Sequence, residues 1–148
     1  MKLRRQAGAL KLKAVASLRR GVRAFNDYEE EGRSSTVLLH FQHSFEMLLK
    51  AGLVQRGQRV FDVRDGRSFG FEKCINLGRE HLNITDEEAG TLRALGALRD
   101  DEQHWMTTVA EGLLYLHCRA GTTLFNDLLQ RIFDDSLAKY IPRRVLPL

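Results

Sequence analysis

Apolar residues recur every three or four positions over most of the chain, which predicts helices that each bury one face. Leu3, Leu10, Ala14, Leu18, Val22 and Phe25 mark a first helix over 3–28. Its stripe is narrow, so it should pack on one side and turn its basic face to solvent. Asp27-Tyr-Glu-Glu-Glu31-Gly32 follows, with Gly32 as the expected C-terminal stop. Ser34-Ser35-Thr36 then offer N-cap candidates for the strongest helix, roughly 35–55. There Leu38, Phe41, Phe45, Leu48 and Gly52 share a face widened by Val37, Leu49 and Leu53, as expected of a central core helix.

Residues 57–71 lose this period. Arg59-Val-Phe-Asp-Val63 alternates, and Arg64-Asp-Gly-Arg67 carries an Asp-Gly turn signal, so a short hairpin or loop is expected. A third helix follows from Phe71 to about Leu82. Thr85 and Glu88 stand in capping-box spacing at the start of a fourth, whose Leu92, Leu95 and Leu98 lead into Arg99. From Trp105 through Leu128 the helical period continues to about residue 138, with Gly121-Thr-Thr123 expected to bend or divide this last helix. Prolines occur only at 142 and 147, so residues 1–141 lack the strongest helix breaker. The predicted fold is all-α: one domain over 1–140, a bundle of four to five main helices with an insertion near 57–71. Residues 141–148 read as an extended basic tail with nothing local to pack on, as the start of a further C-terminal region would look.

Composition narrows the class. Hydrophobic content of 43% and charged content of 28% are ordinary for globular proteins. Cys74 and Cys118 stand far apart and form no CxxC pair, which argues against a disulfide scaffold or thiolate zinc site and fits a reducing compartment. The charged N-terminus is not followed by the apolar core of a signal peptide, and no apolar run approaches the ~20 residues that span a bilayer. A cytoplasmic protein with no membrane partner is expected.

The net charge of +4 hides an asymmetry. Residues 1–26 contain eight basic residues (Lys2, Arg4, Arg5, Lys11, Lys13, Arg19, Arg20 and Arg23) and no acid, while the rest carries a balance of −4. Such an arm can hold a phosphate backbone through charge, and all of these except Lys2 are taken as candidate RNA contacts. A solvated helix face explains the same composition equally well.

The candidate chemistry lies in Arg99-Asp-Asp-Glu-Gln-His104. Arginine stays charged and forks onto phosphate oxygens, so it can stabilise a pentacoordinate phosphorus. Histidine can take or return a proton near neutral pH. RNA brings its own nucleophile, the 2′-hydroxyl. The pair therefore suffices, without a metal or cofactor, for cleavage that leaves a 2′,3′-cyclic phosphate and a 5′-hydroxyl. Geometry stands in the way, because five helical steps turn a side chain by about 500° and leave the two roughly 140° apart. Either a helix begins at Asp100 or Asp101, Asp100 and Gln103 standing in capping-box spacing, or two chains complete one cleft.

Arg99-Asp100 through His104, lying between a Leu-rich helix and a long last helix, resembles the R-x4–6-H motif of HEPN-domain ribonucleases, which often place a polar residue after the arginine. Phe41-Gln-His-Ser-Phe-Glu-Met-Leu-Leu-Lys-Ala51 resembles an early helix of the same bundle. Its Glu46-x3-Lys50 is similar to an E-x3-K element that some members add to their site, although Ala51 stands where a basic residue is usual. With the Pro-Arg-Arg-Val-Leu-Pro tail, the pattern over about 20–148 resembles a poorly characterised prokaryotic HEPN-like branch. The resemblance implies a homodimeric endoribonuclease acting as a toxin or phage-defence effector, restrained by an antitoxin or other regulatory partner. His104 would be general acid or base, Arg99 the phosphate clamp, and Asp100 the residue that orients the arginine or caps the helix. Glu46, Lys50 and His43 would support them.

Plainer readings stand beside these. His40 and His43 have metal-compatible spacing, but no HExxH or cysteine pair completes a site, and packing on the central helix explains them. Glu46 and Lys50 also form an ordinary i,i+4 pair. Trp105 is expected as a bundle anchor before a base-stacking platform, Cys118 as core, and Gly66 and Gly70 as turn residues. A non-catalytic HEPN-like binding or dimerisation module, antitoxin-like or a scaffold, is the alternative function.

Overall fold

A computed structural model describes residues 1–105 and 109–147, with His104 and Trp105 described through their backbone only. Among the described residues the chain is all-helical, as expected: α1 (Arg5–Phe25), α2 (Arg33–Gln55), α3 (Phe71–His81), α4 (Asp86–Trp105) and α5 (Glu111–Phe133), then 3-10 turns at Leu137–Lys139 and Arg143–Val145.

The bundle is organised around α2, which packs on all four other helices. It can do so because its apolar positions surround it. Val37, Leu38, Phe41, Phe45, Leu48, Leu49 and Leu53 are each no more than 1% exposed. Burial of one such side chain contributes ~1.5–3 kcal/mol, whereas propensity differences among these residues stay below ~1 kcal/mol each. Packing, not propensity, holds α2. The two helices approach closely at Gly21, where a Cβ would stand 2.7 Å from Cδ1 of Phe41. Arg4 N donates to Gln55 Oε1 at the other end, so α1 and α2 run antiparallel.

Several boundaries differ from expectation. Helix α1 ends at Phe25, short of Gly32, and Asn26 Nδ2 closes it on Val22 O at 3.0 Å. Gly32, at φ 71°, is the N-cap of α2 and not the stop of α1, so Ser34, Ser35 and Thr36 lie inside the helix they were expected to cap. The insertion at 57–71 is a loop with one isolated antiparallel bridge, Phe61 to Ser68. Helix α4 begins with the predicted capping box: Glu88 N donates to Thr85 Oγ1 at 3.1 Å and Thr85 N to Glu88 Oε1 at 3.0 Å.

The expected single helix from Trp105 to 138 is divided early instead of at Gly121. Trp105 ends α4, and α5 runs unbroken through Gly121-Thr-Thr123. Gly121 serves packing there, because Leu95 and Phe41 come within 3.3 and 3.4 Å of where its Cβ would be. The described part of the tail is packed as well. Ile141 is 2% exposed, Asn26 Nδ2 donates to Val145 O at 2.8 Å, and Arg19 Nη2 donates to Tyr140 O at 3.2 Å. The last residues fold back onto α1 and find the packing partners that their own neighbourhood lacks.

Candidate active site

Arg99 and His104 belong to one continuous helix, since α4 runs from Asp86 to Trp105. A helix start at Asp100 or Asp101 is thereby ruled out, and Asp100 caps nothing. The helical turn leaves the two Cβ directions about 140° apart. The side chain of His104 lies outside the described residues.

Arg99 is half-buried, and its guanidinium is under-used. Its Nε is buried without a hydrogen-bond partner, and among the described residues its ion pair is with the exposed carboxylate of Asp100, Nη1 to Oδ1, 3.8 Å. A guanidinium has five donors, and native structures leave few buried donors unpaired. The other such atom among the described residues is Gln42 Oε1 on α2.

The expected supporting residues line one side of α2. Nδ1 of His43 and Nζ of Lys50 each lie 3.9 Å from Glu46 Oε2. Lys50 is buried and donates to Ser68 Oγ of the loop. The row faces the loop and α3, where Cys74 is buried and its thiol pushed up to about 11 by that burial. Among the described residues no hydrogen bond or ion pair joins this row to Arg99. His40 is held below its ordinary pKa, first by burial and then by the charges of Arg20 and His43.

The basic arm separates into two groups. Arg5, Lys13, Arg19, Arg20 and Arg23 are exposed on α1, within an arc of about 120° at 100° per residue. Arg4 precedes the helix, its guanidinium 3.6 Å from the Cβ position of Gly57. Lys11 points elsewhere, and its assignment as an RNA contact is corrected. Its Nζ donates to Asp135 Oδ2 at 2.8 Å, with both side chains largely buried. Asp135 also accepts from Tyr140 Oη and pairs with Lys139. Burial alone would raise its pKa; the bonds from Lys11 and Tyr140 win and hold it far below the carboxylate range.

Residues 9–148 match the model of a family described as Domain of unknown function (DUF3644). The chain belongs to this family. No curated protein and no solved structure matches it.

In this DUF3644 chain, sequence reasoning overlooked two polar residues, Gln42 and Arg33. The signal for Gln42 was a polar residue beside core Phe41. That for Arg33 was a charge directly after a glycine, at a helix start. Arg33 is 8% exposed, and its guanidinium meets Glu111 of α5, the carbonyl of Phe25 and the Phe25 ring. Among the described residues of the DUF3644 chain, no group of three or more His, Cys, Asp and Glu side chains is placed to hold a metal ion. No described helix is long and apolar enough to cross a membrane.

Proposed function

We propose that the chain is an endoribonuclease that uses Arg99 and His104 at a site shared by two copies. The observation that carries this reading is the half-buried Arg99, whose Nε is buried and unpaired and whose ion pair with Asp100 is long. A guanidinium left this way retains donors for a phosphate, and such unspent buried groups concentrate where a ligand completes them. The R-x4-H spacing and its resemblance to HEPN ribonucleases point to the same chemistry.

The 2′-hydroxyl attacks the adjacent phosphorus as one His104 accepts its proton. The bond from phosphorus to the 5′-oxygen breaks, and that oxygen takes a proton from the His104 of the second copy. Arg99 stabilises the charge on the pentacoordinate phosphorus. A two-fold arrangement supplies both histidines and removes the 140° obstacle within one helix. Helix α5, which follows the motif, exposes Leu113 and Leu116 at 42% and 59%, an apolar pair three residues apart that suits a self-association surface. A role in defence or toxicity, with a restraining partner, rests on the HEPN resemblance.

The test is cleavage of a single-stranded RNA in EDTA by wild type, Arg99→Ala and His104→Ala. Wild type yields 2′,3′-cyclic phosphate ends and each variant loses at least a hundredfold in rate. Equal cleavage by all three overturns the assignment. No cleavage by a folded, dimeric wild type favours the non-catalytic module.

A further inference from the structure

The exposed cations of α1 lead along the helix to a groove of about 570 Å³ between its C-terminal half and the folded-back tail. Val22, Ile141, Pro142 and Val145 contribute apolar surface to it, while Arg19 and Arg23 bring two guanidiniums. The arginines are four residues apart, so they share a side of the helix. Arg23 is exposed, and Arg19 spends one nitrogen on Tyr140 O. Asp27 is the acid in the lining, and its Oδ1 accepts from Glu29 N at 3.2 Å. Beside them Tyr28, also part of the lining, is 95% exposed. An aromatic ring left in water contributes little to the fold, yet it offers a face to any flat partner that enters the groove.

We infer that this groove is a nucleobase subsite for single-stranded RNA, with Tyr28 as its stacking platform and Arg19 and Arg23 on the flanking phosphates. An occupant that uses Tyr28, the apolar wall and both arginines presents a flat, largely apolar body with anionic charge on the side away from Asp27 and Glu29–Glu31, and a nucleotide within a strand does so. From Arg5 to Arg23 the cationic face extends about 27 Å, which suits a polyanion better than one small ligand. Alternating cations and aromatic rings are the general means of holding single strands without reading their sequence. The choice of RNA rests on the ribonuclease reading. The groove itself does not depend on Arg99 or His104, neither of which lines it.

Binding is measured by fluorescence anisotropy with a 2′-O-methyl RNA hexanucleotide, which cannot be cleaved by its own 2′-oxygen, and with an abasic phosphodiester strand of equal length. Tyr28→Ala, at a residue too exposed to affect folding, weakens the base-bearing strand about tenfold and leaves the abasic strand unchanged. Arg23→Gln weakens both strands and lowers the slope of log affinity against log salt by about one. Equal effects of Tyr28→Ala on both strands, no effect on either, or tighter binding of a poly-glutamate peptide than of RNA overturns the subsite. A protein that binds in the expected way but never cleaves RNA overturns the ribonuclease reading alone.

Discussion

Arg33, the first residue of α2, grips Glu111, the first residue of α5, with Nη1 to Oε2 at 2.6 Å and Nη2 to Oε1 at 3.1 Å. The same guanidinium donates through Nε and Nη2 to the carbonyl of Phe25, at 3.0 and 2.6 Å. One side chain thus ties together the end of α1 and the starts of α2 and α5.

Arg33→Ala should destabilise the fold by ~2–4 kcal/mol, because it strips charged hydrogen bonds from a buried carbonyl and removes packing on the Phe25 ring. At ~2–4 °C per kcal/mol, thermal unfolding reads this easily. Glu111→Gln should cost no more than ~1 kcal/mol, since that carboxylate is 64% exposed. The bond from Arg33 outweighs slight burial and holds Glu111 below its ordinary pKa. A depressed acid stabilises above its unfolded pKa and loses that contribution as pH falls through its folded pKa. Glu111→Gln should therefore flatten part of the stability loss below about pH 4.

The Lys11–Asp135 pair separates structural from nucleic-acid roles on α1. Lys11→Ala removes one partner of a largely buried pair, and should destabilise by ~2–4 kcal/mol because Tyr140 and Lys139 still engage the carboxylate. Lys13→Ala, at an exposed position, should leave the unfolding temperature within about 1 °C and weaken RNA binding instead. Asp135 is depressed and Lys11 raised in pKa. The stability from Asp135 is lost as pH falls below about 4, and that from Lys11 as pH rises above about 10.4. Denaturant midpoints at pH 3, 7 and 11 check both signs. A larger binding defect in folded Lys11→Ala than in Lys13→Ala would restore Lys11 to the RNA contacts.

The helices were legible because their information is local. The stripe from Leu38 to Leu53 shows a core helix, and Thr85 with Glu88 shows where α4 starts. What long-range partners decide was not. Lys11 reads like the other cations until Asp135, 124 residues away, takes it. Pro142 to Leu146 read as unsupported until Asn26 and the side of α1 cover them. At Arg99–His104 the residue types were visible, but the spacing allowed a helix start or a second copy. Only the unbroken α4 removes the first.

Gly21→Ala should test how tightly α1 and α2 are packed. Alanine gains ~0.5–1 kcal/mol over glycine within a helix. Its Cβ would stand 2.7 Å from the ring of Phe41, which is fully buried and closed in by Leu95 and Gly121. Overpacking a core costs ~1–3 kcal/mol, so the net change should be destabilising by ~1–2 kcal/mol. A second change, Phe41→Leu, should be less harmful in the alanine background than in wild type, which a double-mutant cycle measures.

Because positions 99 and 104 of one helix stand about 140° apart, the two-copy site predicts complementation. Arg99→Ala and His104→Ala proteins are each inactive alone. Mixed and allowed to exchange subunits, they form mixed dimers in about half of the population. In a mixed dimer one chain still has its arginine and the other its histidine, so one of two cross-chain sites keeps that pair. If one histidine supports the slow step, the mixture should recover about a quarter of the wild-type rate. Where the second histidine also speeds the step, water replaces it as the acid to the 5′-oxygen, and the recovery is smaller but above either parent. Replacing Leu116 with Glu in both proteins should leave their unfolding temperatures nearly unchanged, since Leu116 is 59% exposed, yet abolish the recovery and shift sedimentation to monomer. A mixture no more active than its parents, from subunits shown to exchange, would place Arg99 and His104 in the same chain's site and sink the shared-site geometry.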